Sequence, residues 1–300
     1  MKQLELAGIP RPVSQLALGM SDRDDYAQAA PILDAFHAAG GTLFDTAFEY
    51  GRADAVLGQW LAARRLAGQV SVIGKGCHTP DCRPDSVAPQ LEASLEALGL
   101  ECLDVYFLHR DDEAVPVGEW VDAIDPHLRA GRIRRYGGSN WSTARIDAAN
   151  AYAARTGKAG FTALSNQFSL AEMIAPPWAG CRSAGDDASI AWLKRTGTPL
   201  FAWSSQARGF FTDRAIAASP PDPELVRCWH STANLDRRAR AMELAARRGV
   251  TVAGLALAYN LAQDFPVFPL IGPLNLAELA SSLDALTVEL TAEEMRWLKG

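Results

Sequence analysis

The sequence predicts a (β/α)8 TIM barrel with an N-terminal β-hairpin and long loops after its sixth and seventh strands. Three observations lead there. Short, mostly buried strand patterns alternate with helical patterns until eight strands have passed, as in a parallel sheet closed on itself. The Gly-x-Gly-x-x-Gly turn of a doubly wound dinucleotide fold is absent. The 300 residues, 48% hydrophobic and 21% charged, suffice for one barrel of roughly 250 residues plus decorations. No low-complexity segment or charged linker interrupts them, so 1–300 reads as a single domain.

Leu4 to Leu6 and the segment after Pro10-Arg11-Pro12 suit a hairpin around Gly8, and Gln15 to Leu18 is the first barrel strand, ending at Gly19. Ala29, Ile32, Leu33 and Phe36 recur at helical spacing before Gly40-Gly41, with Pro31 near the start of that helix or bending it. Thr42 to Phe44 is the second strand, and Val56, Leu57, Trp60 and Leu61 mark the helix after it. Val70 to Lys75 and Leu103 to His109 are the third and fourth strands, separated by a helix with its stripe at Val87, Leu91, Leu95 and Leu98. A helix around Trp120 to Ala130 leads to strands at Ile133 to Gly138, Phe161 to Asn166, Pro199 to Trp203 and Phe265 to Ile271.

Two connections exceed the usual length of a barrel loop. Ser169 to Asp187 follows strand six, and Ser204 to Asn234, with Pro220-Pro221-Asp222-Pro223, follows strand seven. Both lie after strand ends, where barrel enzymes keep their sites. Thr291-Ala292-Glu293-Glu294 has the spacing of a capping box.

A net charge of -6 argues against nucleic acid, and the cluster Arg237, Arg238, Arg240, Arg247 and Arg248 reads as a solvated helix face. Five scattered cysteines in a chain this long imply a reduced, cytoplasmic setting. Met1 to Leu6 holds no signal-peptide run, and no stretch reaches the length of a membrane span.

The chemistry gathers at strand ends. The second strand stops on Asp45, with Tyr50-Gly51 closing its loop; the third stops on Lys75 and the fourth on His109. Singly, each has a plain explanation: a turn aspartate, a wall tyrosine, a snorkelling lysine, a core histidine. Their recurrence at successive strand ends points to one rim and one active site. A phenol donates protons poorly near neutrality until a cation lowers its pKa. Lys75 supplies that cation, Asp45 anchors the lysine, and His109 orients a carbonyl oxygen toward Tyr50.

These stretches resemble the aldo-keto reductase family: Phe44-Asp45-Thr46-Ala47 with Tyr50-Gly51, Gly74-Lys75, Tyr106-Phe107-Leu108-His109, Gly137-Gly138-Ser139-Asn140-Trp141, Asn166-Gln167-Phe168, Ala202-Trp203-Ser204 and Ala207-Arg208-Gly209. The resemblance runs over nearly the whole chain and implies an NAD(P)H-dependent oxidoreductase. It makes Tyr50 the general acid, with Asp45, Lys75 and His109 around it. It further implies that Ser139, Asn140 and Gln167 hold the nicotinamide carboxamide, that Trp203 stacks on the ring, and that Ser204 begins the pyrophosphate stretch. Gly19, Met20 and Asp45 then face the nicotinamide ribose.

The segment from Ile271 to Leu279 matches the part of the family that wraps the adenosine end, yet it carries no basic residue. Gly272 lies in it, and Glu278 stands where an arginine often would. Arg208 or Arg214 is then the candidate partner for a 2′-phosphate. The cofactor expected is NADP(H), with NAD(H) as the alternative. Trp141, Trp178 and the Ser169 to Asp187 loop suggest an aromatic-walled pocket for a small carbonyl or alcohol, including sugar-derived carbonyls. Two other readings stand beside this one: a nucleotide-binding regulatory subunit on the same barrel, and a metal-dependent hydrolase using Cys77, His78, Cys82 and His109. The sequence leaves the oligomeric state open.

Overall fold

The computed structural model describes residues 1–215 and 222–300; the Pro220-Pro221 part of the second long loop lies outside them. A two-stranded antiparallel hairpin, β1 (Gln3–Leu4) with β2 (Val13–Ser14), precedes the barrel. The barrel strands are β3 (Ala17–Gly19), β4 (Leu43–Asp45), β5 (Ser71–Gly76), β6 (Leu103–Leu108), β7 (Ile133–Ser139), β8 (Leu164–Ser165), β9 (Leu200–Ala202) and β10 (Val267–Ile271). They close in the order β10-β3-β4-β5-β6-β7-β8-β9. The chain divides into two compact units, Met1–Ser165 and Asn166–Gly300.

In the first unit, helices α1 (Tyr26–Ala38), α2 (Ala53–Arg64), α3 (Val87–Leu98), α4 (Val117–Arg129) and α5 (Thr143–Arg155) alternate with the strands. Pro31 sits inside α1, where its missing N–H removes one bond of the helix ladder. Every residue of β5 and β6 is buried, as expected of strands covered on both faces. One of them is Asp104, whose carboxylate is satisfied by Arg11 at 3.0 Å, Arg134 at 3.2 Å and the Val72 N–H at 3.2 Å. Gly58 brings α2 against α3: a Cβ there would lie 2.5 Å from Ala97 O.

In the second unit α6 (Asp187–Thr196), α7 (Pro223–Trp229), α8 (Thr232–Arg248), α9 (Val252–Leu261), α10 (Leu276–Leu283) and α11 (Ala292–Lys299) follow. The capping box expected at Thr291 and Glu294 opens α11. Arg247 and Arg248 of the α8 arginine cluster are exposed as expected, but two of its members depart from a solvated face. Arg237 and Arg238 are buried. Arg237 pairs with Glu172 at 2.7 Å and donates to the Lys299 carbonyl, while Arg238 donates to the carbonyls of Phe210 and Thr212. Backbone oxygens without secondary-structure partners recruit these guanidinium groups inward. No helix among the described residues is long and apolar enough to cross a membrane.

Candidate active site

Strand register explains why the four ionisable residues converge. Asp45 pairs with Ile73, two residues before Lys75, and Lys75 pairs with Phe107, two residues before His109. A side-chain period of two keeps each pair on one face, so the three side chains project alike while climbing two residues per strand. Tyr50 is supplied by the loop after β4, whose turn is closed by Tyr50 N–H donating to the Ala47 carbonyl.

Lys75 Nζ donates to Asp45 Oδ2 at 2.5 Å and to the Thr46 carbonyl at 3.3 Å, and it lies 5.1 Å from the centre of the Tyr50 ring. The Tyr50 and His109 rings meet edge-on with centroids 5.7 Å apart. Burial pulls the Lys75 pKa down, but Asp45, Tyr50 and Glu49 outweigh it and hold the ammonium above its ordinary range. Burial lifts Asp45 against the pull of Lys75. Tyr50 departs from the expected depression. Burial raises it, Lys75 lowers it by charge and hydrogen bonding, Asp45 and Glu49 raise it again, and the sum is upward. Burial and the positive charge of Lys75 and Arg110 push His109 well below its usual value, which favours the uncharged imidazole.

The neighbouring cofactor candidates of the first unit cluster here. Met20 N–H donates to the Asp45 carbonyl at 2.8 Å, and Gly19 accepts from Arg23. Asn140 Nδ2 donates to the His109 carbonyl and to Ser139 Oγ, both at 3.2 Å. Asn140 and Cys77 both hold left-handed backbone, at φ 62° and 63°, immediately after β7 and β5. Such conformations are uncommon for side-chain-bearing residues and concentrate at functional sites.

Trp141 does not fit the pocket wall expected of it. It has no exposed surface, packs against Trp120 and Phe161, and donates from Nε1 to the Arg110 carbonyl. A ring so enclosed is core. Reading the sequence also passed over Glu49, beside Tyr50, whose carboxylate pairs with His109 Nδ1. Its adjacency to Tyr50 was the available signal.

In the second unit Gln167 bridges Trp203, and its amide is held by Ser169 at 2.8 Å and Ser183 at 2.9 Å. Trp178 is 48% exposed, tilted 6.4 Å from the Trp203 ring, and capped by the Arg208 guanidinium at 4.8 Å. Arg208 also pairs with Glu224, and Arg214 with Asp222 at 3.0 Å. Ser204, Ala207 and Arg208 all have positive φ, and the turn is pinned by Ser205 Oγ donating to Leu270 O and by Asn260 donating to Ser205 O. Glu278 is turned to local use: its carboxylate accepts from Leu274 N–H at 2.8 Å and from Asn275 Nδ2 at 3.1 Å, at the start of α10. The residues suit a flat polar cofactor. Trp203 Nε1 is buried without a protein partner among the described residues, and a Cβ on Gly272 would meet no atom within 4 Å.

The sequence pattern of the aldo/keto reductase family matches residues 15–300. The chain belongs to the aldo/keto reductase family. This aldo/keto reductase is 27% identical to aldo-keto reductase ausK of Aspergillus calidoustus, an alignment spanning 94% of this chain and 74% of that relative. It is 25% identical to the probable aryl-alcohol dehydrogenase AAD4 of Saccharomyces cerevisiae, over 91% of this chain and 87% of that one. The thermostable aldo-keto reductase Tm1743, solved with the inhibitor epalrestat, shares the fold at a TM-score of 0.77 and 21% identity, covering 100% of this chain and 99% of that structure. This aldo/keto reductase is therefore an oxidoreductase, and its family implies NAD(P)H-dependent carbonyl reduction. Among the described residues no group of three or more His, Cys, Asp or Glu side chains is arranged to hold a metal ion, and Cys77, His78, Cys82 and His109 form no such set. Burial raises both thiols, Cys82 to about 12.

Proposed function

We propose that this enzyme reduces an aldehyde or ketone to the alcohol with Tyr50 as general acid, Lys75 and Asp45 as its electrostatic support, and His109 orienting the carbonyl oxygen. The observation that carries this reading is the placement of Lys75 Nζ between the Asp45 carboxylate and the Tyr50 ring. NAD(P)H, when bound, supplies the hydride to the carbonyl carbon. The chain's own task is the proton at oxygen.

Tyr50 Oη gives its proton to the carbonyl oxygen as charge develops there. The phenolate left behind is stabilised by Lys75. At about 5 Å and an effective dielectric near 20, that attraction is on the order of 3 kcal/mol. Asp45 keeps the ammonium aimed, and His109 donates a hydrogen bond to the same substrate oxygen. In the first unit Gly19, Met20, Ser139 and Asn140 are the cofactor contacts proposed. In the second they are Gln167, Trp203, Ser204 and Gly272, with Arg208 and Arg214 as phosphate partners.

Two features favour a substrate with a flat apolar body. Trp178 presents nearly half its surface beside Trp203, and a relative carries the name aryl-alcohol dehydrogenase. Initial rates with NADPH and NADH over a panel of aromatic aldehydes, aliphatic ketones and oxidised sugars test the reading. Aromatic aldehydes should give the highest kcat/KM. Absence of cofactor-dependent reduction across the panel would sink it.

A further inference from the structure

Glu49 is an acid placed where the proposed reaction does not use one. Its side chain is 23% exposed, yet neither carboxylate oxygen is itself accessible. Oε1 lies within ion-pair reach of His109 Nδ1, and both atoms are buried without a hydrogen-bond partner among the described residues. His109 thus has one ring nitrogen committed to Glu49 and one, Nε2, left to meet a substrate.

The proton count on this pair decides what Nε2 can do. A neutral imidazole carries one N–H. With Glu49 ionised, that proton belongs on Nδ1, facing the carboxylate, and Nε2 is a bare acceptor unable to donate to a carbonyl. With one more proton on the pair, Glu49 O–H donates to Nδ1, or the carboxylate accepts from an imidazolium. In both arrangements Nε2 bears hydrogen.

We propose that Glu49 is a positioning residue for carbonyl reduction, holding through Nδ1 the proton that makes His109 Nε2 a hydrogen-bond donor to the substrate oxygen. The inference rests on the reading of His109 given under Proposed function. Loss of the shared proton as pH rises turns Nε2 into an acceptor, suited to an alcohol hydroxyl and therefore to the oxidation direction.

The surroundings favour retention of the shared proton. Burial raises the Glu49 carboxyl, opposed by a backbone hydrogen bond and by His78, Lys75 and Arg110 at the ends of β5 and β6. From β4, the Glu49 loop and α2, respectively, Asp45, Tyr50 and Asp54 also face this cluster. Burial raises all three, and Glu49 adds to the rise of Tyr50 and Asp54. The thiols of Cys77 and Cys82 and the phenol of Tyr106 are raised as well and stay neutral through the physiological range.

The test is 15N NMR of the full chain labelled at its five histidines, read from pH 5.5 to 9 without cofactor, with His109→Gln used to assign the resonance. In the wild type, Nε2 should be protonated at low pH and become bare as pH rises. Glu49→Gln, whose amide N–H donates to Nδ1, should keep Nε2 protonated throughout. Glu49→Leu should leave a mixture of tautomers. In reduction, Glu49→Gln should keep the low-pH kcat/KM within about threefold, lose the descending limb due to the pair and retain only that of Tyr50, and Glu49→Leu should fall about tenfold, the loss of one aligned hydrogen bond. Identical His109 signals and pH profiles in all three proteins would overturn the proposal. The spectra need no turnover, so a coupled pair in a protein that reduces no carbonyl would fault the reaction assignment alone. Turnover with an uncoupled His109 would fault only Glu49.

Discussion

Lys75 Nζ stands 2.5 Å from Asp45 Oδ2, with each side chain only 3% exposed. A cation and an anion this deeply buried are costly unless paired, and removing one partner strands the other. The pair therefore persists as a unit, leaving the ammonium fixed relative to the Tyr50 ring.

Tyr50→Phe removes the proposed proton donor and leaves the ring. The turnover number for carbonyl reduction should fall by at least ~100-fold, the lower range for general acid catalysis. Binding of NADPH, followed by quenching of tryptophan fluorescence, should stay close to wild type. Undiminished turnover would take Tyr50 out of the role.

Lys75→Met tests the electrostatic support. Lys75 lowers the Tyr50 pKa, against burial and two carboxylates that raise it. Without it the phenol must rise further, so the limb of the alcohol oxidation profile that needs phenolate should move to higher pH while the rate drops. A slower enzyme with an unmoved limb would show that Lys75 acts by position alone.

Glu278→Arg tests coenzyme preference. Its carboxylate caps the start of α10, and Arg208 and Arg214 are engaged with Glu224 and Asp222. Discrimination between NADPH and NADH should therefore be weaker than an arginine clamp provides. Glu278→Arg should tighten NADPH through charge-assisted bonds to the 2′-phosphate and leave NADH nearly unchanged. Titration of both cofactors against both proteins decides it. An unchanged NADPH affinity would mean that Glu278 faces away from the phosphate.

Gly58→Ala tests the packing of α2 on α3. Alanine gains up to about 1 kcal/mol of helix propensity over glycine. The new methyl, however, would lie 2.5 Å from Ala97 O and 2.8 Å from Leu98 Cα, backbone atoms that move only with their helix. The clash should win, with a net loss of about 1–2 kcal/mol in urea denaturation. A variant as stable as wild type would show that the helices separate freely.

The barrel and the positions of Asp45, Tyr50, Lys75 and His109 were legible because strand ends are marked by sharp changes from apolar runs to polar residues. What stayed hidden depends on direction and packing. Phe161 to Asn166 reads as one strand, yet the strand itself is only Leu164–Ser165: Thr162 N–H donates to the Tyr136 carbonyl and Ala163 O accepts from Gly138, while Phe161 packs its ring on Tyr136 and Trp141. That same packing makes Trp141 core, which no local pattern announces. Arg237 and Arg238 look like surface charge until the carbonyls they serve are known. Burial outweighs Lys75 at Tyr50, a balance set by neighbours distant in sequence.

The left-handed residues after three strands carry a consequence for the protein's evolution in the laboratory. Cys77, Asn140 and Ser204 each adopt a conformation that costs a residue with a Cβ roughly 1 kcal/mol and glycine almost nothing. A lineage selected only for heat tolerance should accumulate glycine at these positions. A lineage selected for turnover should retain the side chain of Asn140, because its amide braces the His109 carbonyl. Sequencing parallel lineages under the two selections would separate the positions retained for chemistry from those retained for folding.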